Sequence, residues 1–256
     1  QNFARASEIK FQSAEEREEF VWTTSWGAST RLIGGVIMTH GDDDGIILPP
    51  RVASAQIVLL PIFKKEDERQ AVMAYTDSLA KELRAVRYCD RPITVEVDPR
   101  DIGGARGWEW IKKGIPLRIE IGSREIRENA VFLGRRDKPH HERVSLKREA
   151  FVAEVAGILD DIQNNLYARA LRYRDENTVA IEDKGDFYDY FTPRNIEKPE
   201  IHGGFALADW CGEPDCEARI KEDLTVTIRS LPFDAQAPGG CCISCGTATH
   251  AHTLHP

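Results

Sequence analysis

A chain of 256 residues with 34 Lys and Arg against 42 Asp and Glu carries a formal net charge of −8. That length exceeds one ordinary core and points to two or three compact units, and no apolar run approaches the roughly 18 residues that span a bilayer. The acidic balance excludes indiscriminate nucleic-acid binding and leaves room for a local basic face from Arg118, Arg124, Arg127, Arg135 and Arg136. The opening residues lack the pattern of a secretory leader, so the cytoplasm is the expected location.

The chain opens at Gln1-Asn-Phe3 without an initiator methionine, and residues 1–50 hold too little for a core of their own, so an N-terminal half is expected upstream. Residues 20–25 alternate as a strand, Trp26-Gly27 breaks it, and Ser29 caps a helix through Arg31, Ile33 and Ile37 towards His40. Gly41-Asp-Asp-Asp-Gly45 and Pro49-Pro50 then mark a solvated exit loop and a boundary. From Gln56 strands and helices alternate. Residues 57–62, 93–97, 117–121 and 130–135 read as strands, and 108–113 as a short helix. Val72, Tyr75, Leu79, Leu83 and Val86 stripe one helix, and Val152, Val155, Leu159, Ile162 and Leu166 another. This is a mixed α/β sheet with right-handed crossovers. A third unit follows Arg174, with helices over 186–191 and 215–222 and strands over 205–210 and 224–231.

Five of the six cysteines lie from Cys211 onward, as Cys211-x4-Cys216 and a cluster of Cys241, Cys242 and Cys245. Two close pairs of thiolates can close a tetrahedron around Zn²⁺ and supply folding energy to a small core. Four protein ligands make such a site closed and structural. Cys89 stands alone and reads as a small buried hydrophobe.

The segment Thr24-Ser-Trp-Gly-Ala-Ser-Thr-Arg-Leu-Ile-Gly-Gly-Val-Ile-Met-Thr-His-Gly-Asp-Asp-Asp-Gly-Ile-Ile-Leu-Pro-Pro50 resembles the third class II motif of the prolyl-tRNA synthetases of archaeal and eukaryotic type, and the likeness runs through the rest of the chain. The resemblance implies α/β architecture in three parts: the end of a class II catalytic domain (1–52), a mixed-sheet anticodon-binding domain (53–165) and a small α+β zinc-binding domain (166–256). It implies that Arg31 lies against the adenine and reaches the terminal phosphate of ATP, with Ser29 beside it. A planar cation that stacks and bonds phosphate oxygens suits that task. Trp26 and Gly27 would wall the proline pocket. L-proline, ATP, tRNA(Pro), Mg²⁺ with the ATP, and a homodimer of the full-length enzyme are implied in the same way.

In Gly114-Ile-Pro-Leu-Arg-Ile-Glu-Ile-Gly-Ser-Arg-Glu125 the resemblance puts Arg118, Glu120 and Arg124 at the positions that read anticodon guanines. Arginine can bond guanine O6 and N7, and a carboxylate can accept from N1 and N2. Trp110-Ile-Lys-Lys-Gly-Ile-Pro116 departs from the family's Trp-Glu-Leu-Lys-Gly-Val-Pro, so Ile111 replaces an acid; Glu109 is a candidate substitute, though some 200 degrees around a helix. The family's Cys-x2-Cys-Gly pattern selects Cys242 and Cys245 as ligands with Cys211 and Cys216; Cys241, His250 and His252 remain alternatives. The ending Thr253-Leu-His-Pro256 departs from the family's aromatic tail. A non-catalytic RNA-binding module with a zinc-stabilised appendage is the second reading.

Overall fold

The computed structural model describes residues 2–63, 65–195, 197, 204–233 and 236–255; Gln1 and Pro256, and with them both ends of the expected units, lie outside the described residues. The chain starts with a one-turn helix α1 (Asn2–Ala6) and a hairpin of β1 (Lys10–Gln12) and β2 (Glu18–Phe20). The strand expected over 20–25 ends at Phe20, because Phe20 pairs with Lys10, where the partner strand begins. Residues 21–29 are irregular. Helix α2 (Arg31–His40) follows, with Thr30 rather than Ser29 at its N-cap and no buried residue along its length.

The acidic run after α2 is the exposed turn expected, and its first residue, Asp42, also serves as an anchor. Arg136, only 5% exposed, donates to the Asp42 carboxylate (2.7 Å to Oδ2), to Gly45 O (3.1 Å) and to Ile111 O (3.1 Å). Its neighbour Arg135 is held by Asp137 and Asp161 at 2.8 and 2.6 Å. Both arginines are therefore withdrawn from the basic face the sequence offered.

The central unit is built on β3 (Ile57–Pro61), whose five residues are all buried. Helix α3 (Glu66–Ala85) leads to a hairpin of β4 (Arg87–Tyr88) and β5 (Arg91–Pro92), then to β6 (Val95–Val97). Cys89 and Asp90 form the hairpin tip with φ of 48° and 60°; Cys89 is exposed there, contrary to expectation. Helix α4 (Gly104–Lys112) precedes β7 (Leu117–Ile121), and α5 (Ser123–Glu128) precedes β8 (Ala130–Arg135). An edge strand β9 (Arg143–Lys147) and the long α6 (Arg148–Glu176) complete it. The sheet order is β6-β3-β7-β8-β9, with β3 parallel to β6 and β7 and the last two strands antiparallel.

Alternation on β7 decides which side does what. Leu117, Ile119 and Ile121 join Ile57, Leu59 and Phe151 in one core beneath α3 and α6, where each large apolar side chain contributes about 1.5–3 kcal/mol. Arg118 and Glu120 turn to the other face, against which α4 packs. The buried stripe of α6 stops at Leu166, while Tyr167 and Tyr173 are exposed; the same helix runs on past residue 165 into the next unit.

That unit comprises β10 (Thr178–Ala180), α7 (Lys184–Phe191), β11 (Phe205–Asp209), α8 (Pro214–Leu224), β12 (Gln236–Cys241) and β13 (Ala248–His255), in the sheet order β10-β11-β13-β12. Its core is small: Phe187, Phe191, Ala206, Ala208, Ile220, Val226 and Ile243. The strand expected over 224–231 is absent. The chain leaves α8 through Thr225 in the left-handed region (φ 60°) and makes one bridge, Ser230 to Leu254. Thr253 and His255 are fully buried. Thr253 Oγ1 donates to Ala208 O at 2.9 Å and lies 2.8 Å from His255 Nε2, while the imidazole meets Phe187 edge-on. Burial draws the His255 pKa down to about 4, so the ring packs neutral. No helix among the described residues is long and apolar enough to cross a membrane.

Candidate functional site

A pocket of about 500 Å³ opens beyond the C-terminal ends of β3 and β7, between the sheet and the start of α4. Its placement depends on Asp98, which is 4% exposed. The Asp98 carboxylate accepts from Arg100 (2.8 and 2.9 Å) and from Trp110 Nε1 (2.7 Å). Those bonds, the Arg100 guanidinium first, hold its carboxyl well below the usual carboxylate range. Arg106 donates to Asp98 O, Arg100 O and Pro61 O, which ties the loop before α4 to the end of β3. The wall facing the sheet is thus fixed by charge-assisted bonds.

Arg118 lies in this pocket, 4% exposed, and its guanidinium makes no hydrogen bond or ion pair with any described residue. Burial, followed by the charge of Arg143, draws its pKa down to about 10, which leaves it protonated at neutral pH. An unpaired buried cation is costly, and here it lines a cavity with room for a base. Glu120 lines the same pocket and is bound through both oxygens by Arg143 Nη1, at 2.8 and 2.9 Å. Trp108, 41% exposed, packs against His140 with ring centroids 4.9 Å apart, and His140 Nδ1 stands 3.4 Å from Asp44.

The structure brings Arg118 and Glu120 together but not Arg124, which is exposed on α5 and paired with Glu128 at 3.0 Å. Ile111 is 4% exposed and lines the pocket as an apolar wall. Glu109 does not replace the acid there; it is bound to Arg100 at 2.7 Å. The carboxylates lining the pocket are Asp101 and Glu120. Sequence reading missed Trp108, His140 and Arg143. His140 and Arg143 lie in Pro139-His-His-Glu-Arg143, a stretch with no periodicity, and only the pairing of β9 with β8 carries Arg143 to this face.

In the C-terminal unit the sulfurs of Cys211, Cys216, Cys242 and Cys245 lie within 4.8 Å of one another. Cys211 Sγ is 3.6 Å from Cys216 Sγ and 3.8 Å from Cys245 Sγ. A 2.3 Å zinc–sulfur bond in a tetrahedron sets sulfurs about 3.8 Å apart, so the spacing fits a tetrathiolate centre. Cys216 sits on the first turn of α8, where burial pushes its thiol up to about 12, while the hydroxyl and backbone of Thr247 bring Cys245 down to about 6. The second pair is shaped by Gly246 (φ 76°), whose N–H donates to Cys242 O, and by Cys242 N–H donating to Thr247 O, both at 2.8 Å. Cys241 is exposed and stands outside the cluster. His252 is engaged by Asp209 at 2.8 Å, and the His250 side chain lies outside the described residues.

Trp26, Gly27, Ser29 and Arg31 are not gathered into a pocket by the described residues. Trp26 is 94% exposed, and no atom stands within 4 Å of where a Cβ on Gly27 would be. Ser29 Oγ accepts from Arg31 N at 3.4 Å, which fixes the start of α2 and leaves the Arg31 guanidinium exposed.

Residues 56–157 match the family described as "Anticodon binding domain", and residues 197–254 the one described as "Prolyl-tRNA synthetase, C-terminal". The sheet with its lined pocket falls within the first match and the four-cysteine unit within the second, which places the chain among the aminoacyl-tRNA synthetases. Over 94% of its length the chain is 49% identical to "Proline--tRNA ligase 2" of Anaeromyxobacter dehalogenans, covering 48% of that protein. It is 48% identical to "Proline--tRNA ligase" of Protochlamydia amoebophila, covering 96% of this chain and 49% of the other. The fold matches a crystal structure of prolyl-tRNA synthetase from Cryptosporidium parvum complexed with halofuginone and AMPPNP, with TM-score 0.80 and 25% identity over 100% of this chain and 50% of that one. The chain belongs to the prolyl-tRNA synthetase family, whose C-terminal portion it carries, and it spans about half the length of the curated relatives it matches.

Proposed function

We propose that this chain is the tRNA-reading and ATP-closing part of an enzyme that joins L-proline to tRNA(Pro). In the first step the proline carboxylate attacks the α-phosphate of ATP, giving prolyl-adenylate and releasing pyrophosphate. In the second, the terminal ribose hydroxyl of the tRNA attacks the activated carbonyl and AMP departs. Neither step needs a side-chain nucleophile, so catalysis rests on positioning and charge. Arg31 binds the departing phosphates, Ser29 lies beside the nucleotide, and Trp26 with Gly27 covers the proline ring. Mg²⁺ accompanies the ATP. The functional units follow 1–52, 53–165 and 166–256, with α6 as a rigid connector, and the intact enzyme works as a cytoplasmic homodimer.

Anticodon reading belongs to the pocket beside β7. Arg118 donates to guanine O6 and N7, Glu120 accepts from guanine N1 and N2, and Arg124 approaches the RNA from outside the pocket. The observation that supports this most is the buried Arg118, unpartnered among the described residues, inside a domain that matches the anticodon-binding family. Zn²⁺ is held by Cys211, Cys216, Cys242 and Cys245, whose sulfur spacing suits it. With four thiolates bound it has no open position, and its contribution is to fold the small terminal core.

Replacing Arg118 with Met in the whole natural gene product is expected to raise the KM for tRNA(Pro) by about 10- to 100-fold. Proline-dependent ATP–pyrophosphate exchange without tRNA should stay at the native rate. A native KM for tRNA in that variant would remove the pocket from the anticodon site.

A further inference from the structure

Register places Arg118 opposite Gly134 on β8, and Gly134 opposite Arg143 on β9, so the two arginines share a row and a face with a glycine between them. Arg118 Nη2 stands 3.0 Å from where a Cβ on Gly134 would be, so the missing side chain is what opens this lane. Glu120 sits one row along, opposite Phe132, and Arg143 crosses the Phe132 ring at 5.7 Å to reach it. Glu120 therefore has two guanidinium groups within its neighbourhood. It binds Arg143 with both oxygens and leaves Arg118 without a hydrogen-bond or ion-pair partner among the described residues.

We infer that Arg143 is a positioning residue that makes Glu120 the base-reading acid of this pocket and keeps Arg118 free to donate. The inference rests on the reading of the pocket as the anticodon site. One nitrogen of Arg143 bridges both Glu120 oxygens, which leaves each oxygen a second lone pair, so the carboxylate can still accept from a purine's N1–H and exocyclic amine. Without Arg143, Glu120 is left with Arg118 as a cation on its own strand face and in the same pocket, and a pair between them would occupy the donor and the acceptor together. The role matters in this chain because α4 presents Ile111 to the pocket and sends Glu109 to Arg100. A guanine, with acceptors on one edge and two adjacent donors on the next, fits Arg118 and the held Glu120; an adenine, with a single donor group there, does not.

The test uses the intact gene product and two tRNA(Pro) transcripts, one native and one with inosine replacing guanine in the anticodon, which removes only the 2-amino group. The native enzyme is expected to have a KM about fivefold or more higher for the inosine transcript. Arg143→Ala should raise the KM for the native transcript about tenfold, erase most of the guanine-over-inosine preference, and leave tRNA-independent exchange unchanged. Arg143→Lys, which can also bridge both oxygens, should retain most of the preference. Adding Glu120→Ala to Arg143→Ala should cost nothing further, because Arg118 is released again. A native preference in Arg143→Ala, or equal losses on both transcripts, would overturn the positioning role, the second outcome marking Arg143 as a bulk cation. If Arg118→Met raises the KM and Arg143→Ala does not, this inference alone fails. If neither does, the pocket reading itself fails.

Discussion

Arg31→Ala, made in the whole natural gene product, is expected to cut proline-dependent ATP–pyrophosphate exchange by about 10²- to 10³-fold, the scale seen when one preorganised charge-stabilising donor is lost. The side chain is exposed at the first position of α2 and its guanidinium has no hydrogen bond or ion pair among the described residues. Substitution should therefore leave thermal stability within about 0.5 kcal/mol, the usual range for a surface site. A large loss of exchange at constant stability isolates a nucleotide role from a folding role. Arg31→Lys should fall between the two, since an ammonium keeps the charge but loses the flat face and the paired donors. A native exchange rate in Arg31→Ala would remove the assignment.

Cys216→Ser is expected to release zinc and unfold the terminal unit selectively. Cys216 is 6% exposed, within a cluster that fits a tetrathiolate, and structural zinc contributes about 10–16 kcal/mol of apparent binding free energy to small domains. Among the described residues the buried apolar core of this unit has seven members, two of them alanines, and has little to offset such a loss. Metal analysis should find one zinc per chain in the native protein and less in the variant. Limited proteolysis should cut first within 204–255, in Cys216→Ser and in native protein treated with chelator alike. The central unit, with Phe151, Leu117 and Ile119 buried in a separate core, should resist in both cases. Identical digestion with and without chelator would count against structural zinc.

The elements legible in the sequence were those whose burial is written as composition. β3 is a continuous apolar run of the kind a sheet covered on both faces requires, β8 is largely apolar, β7 alternates apolar with charged residues, and α3 and α6 carry helical stripes. The four clustered cysteines were legible because thiolate spacing has few other meanings. The strands β12 and β13 were not, since Gln-Ala-Pro-Gly-Gly-Cys and Ala-Thr-His-Ala-His-Thr-Leu-His hold few large apolar residues, and their order comes from pairing with β11 and with each other. Residues 224–231 erred in the opposite direction: Leu224, Val226 and Ile228 alternate with polar residues as a strand would, but the chain pairs there with its neighbours through one bridge only among the described residues. Asp42 looked like loop solvation because its partner, Arg136, is 94 positions away. Arg118 and Glu120 were legible as residue types on one face of a strand. Arg143, which divides their roles, depends on cross-strand register, and register is invisible without the fold.

The most direct test of the account is proline-dependent ATP–pyrophosphate exchange by the whole natural gene product, with alanine as the control amino acid. Exchange with proline and none with alanine is the predicted result and makes Trp26, Ser29 and Arg31 parts of a working site. No exchange from a folded, intact product would contradict the account and leave this chain as a non-catalytic RNA-binding module.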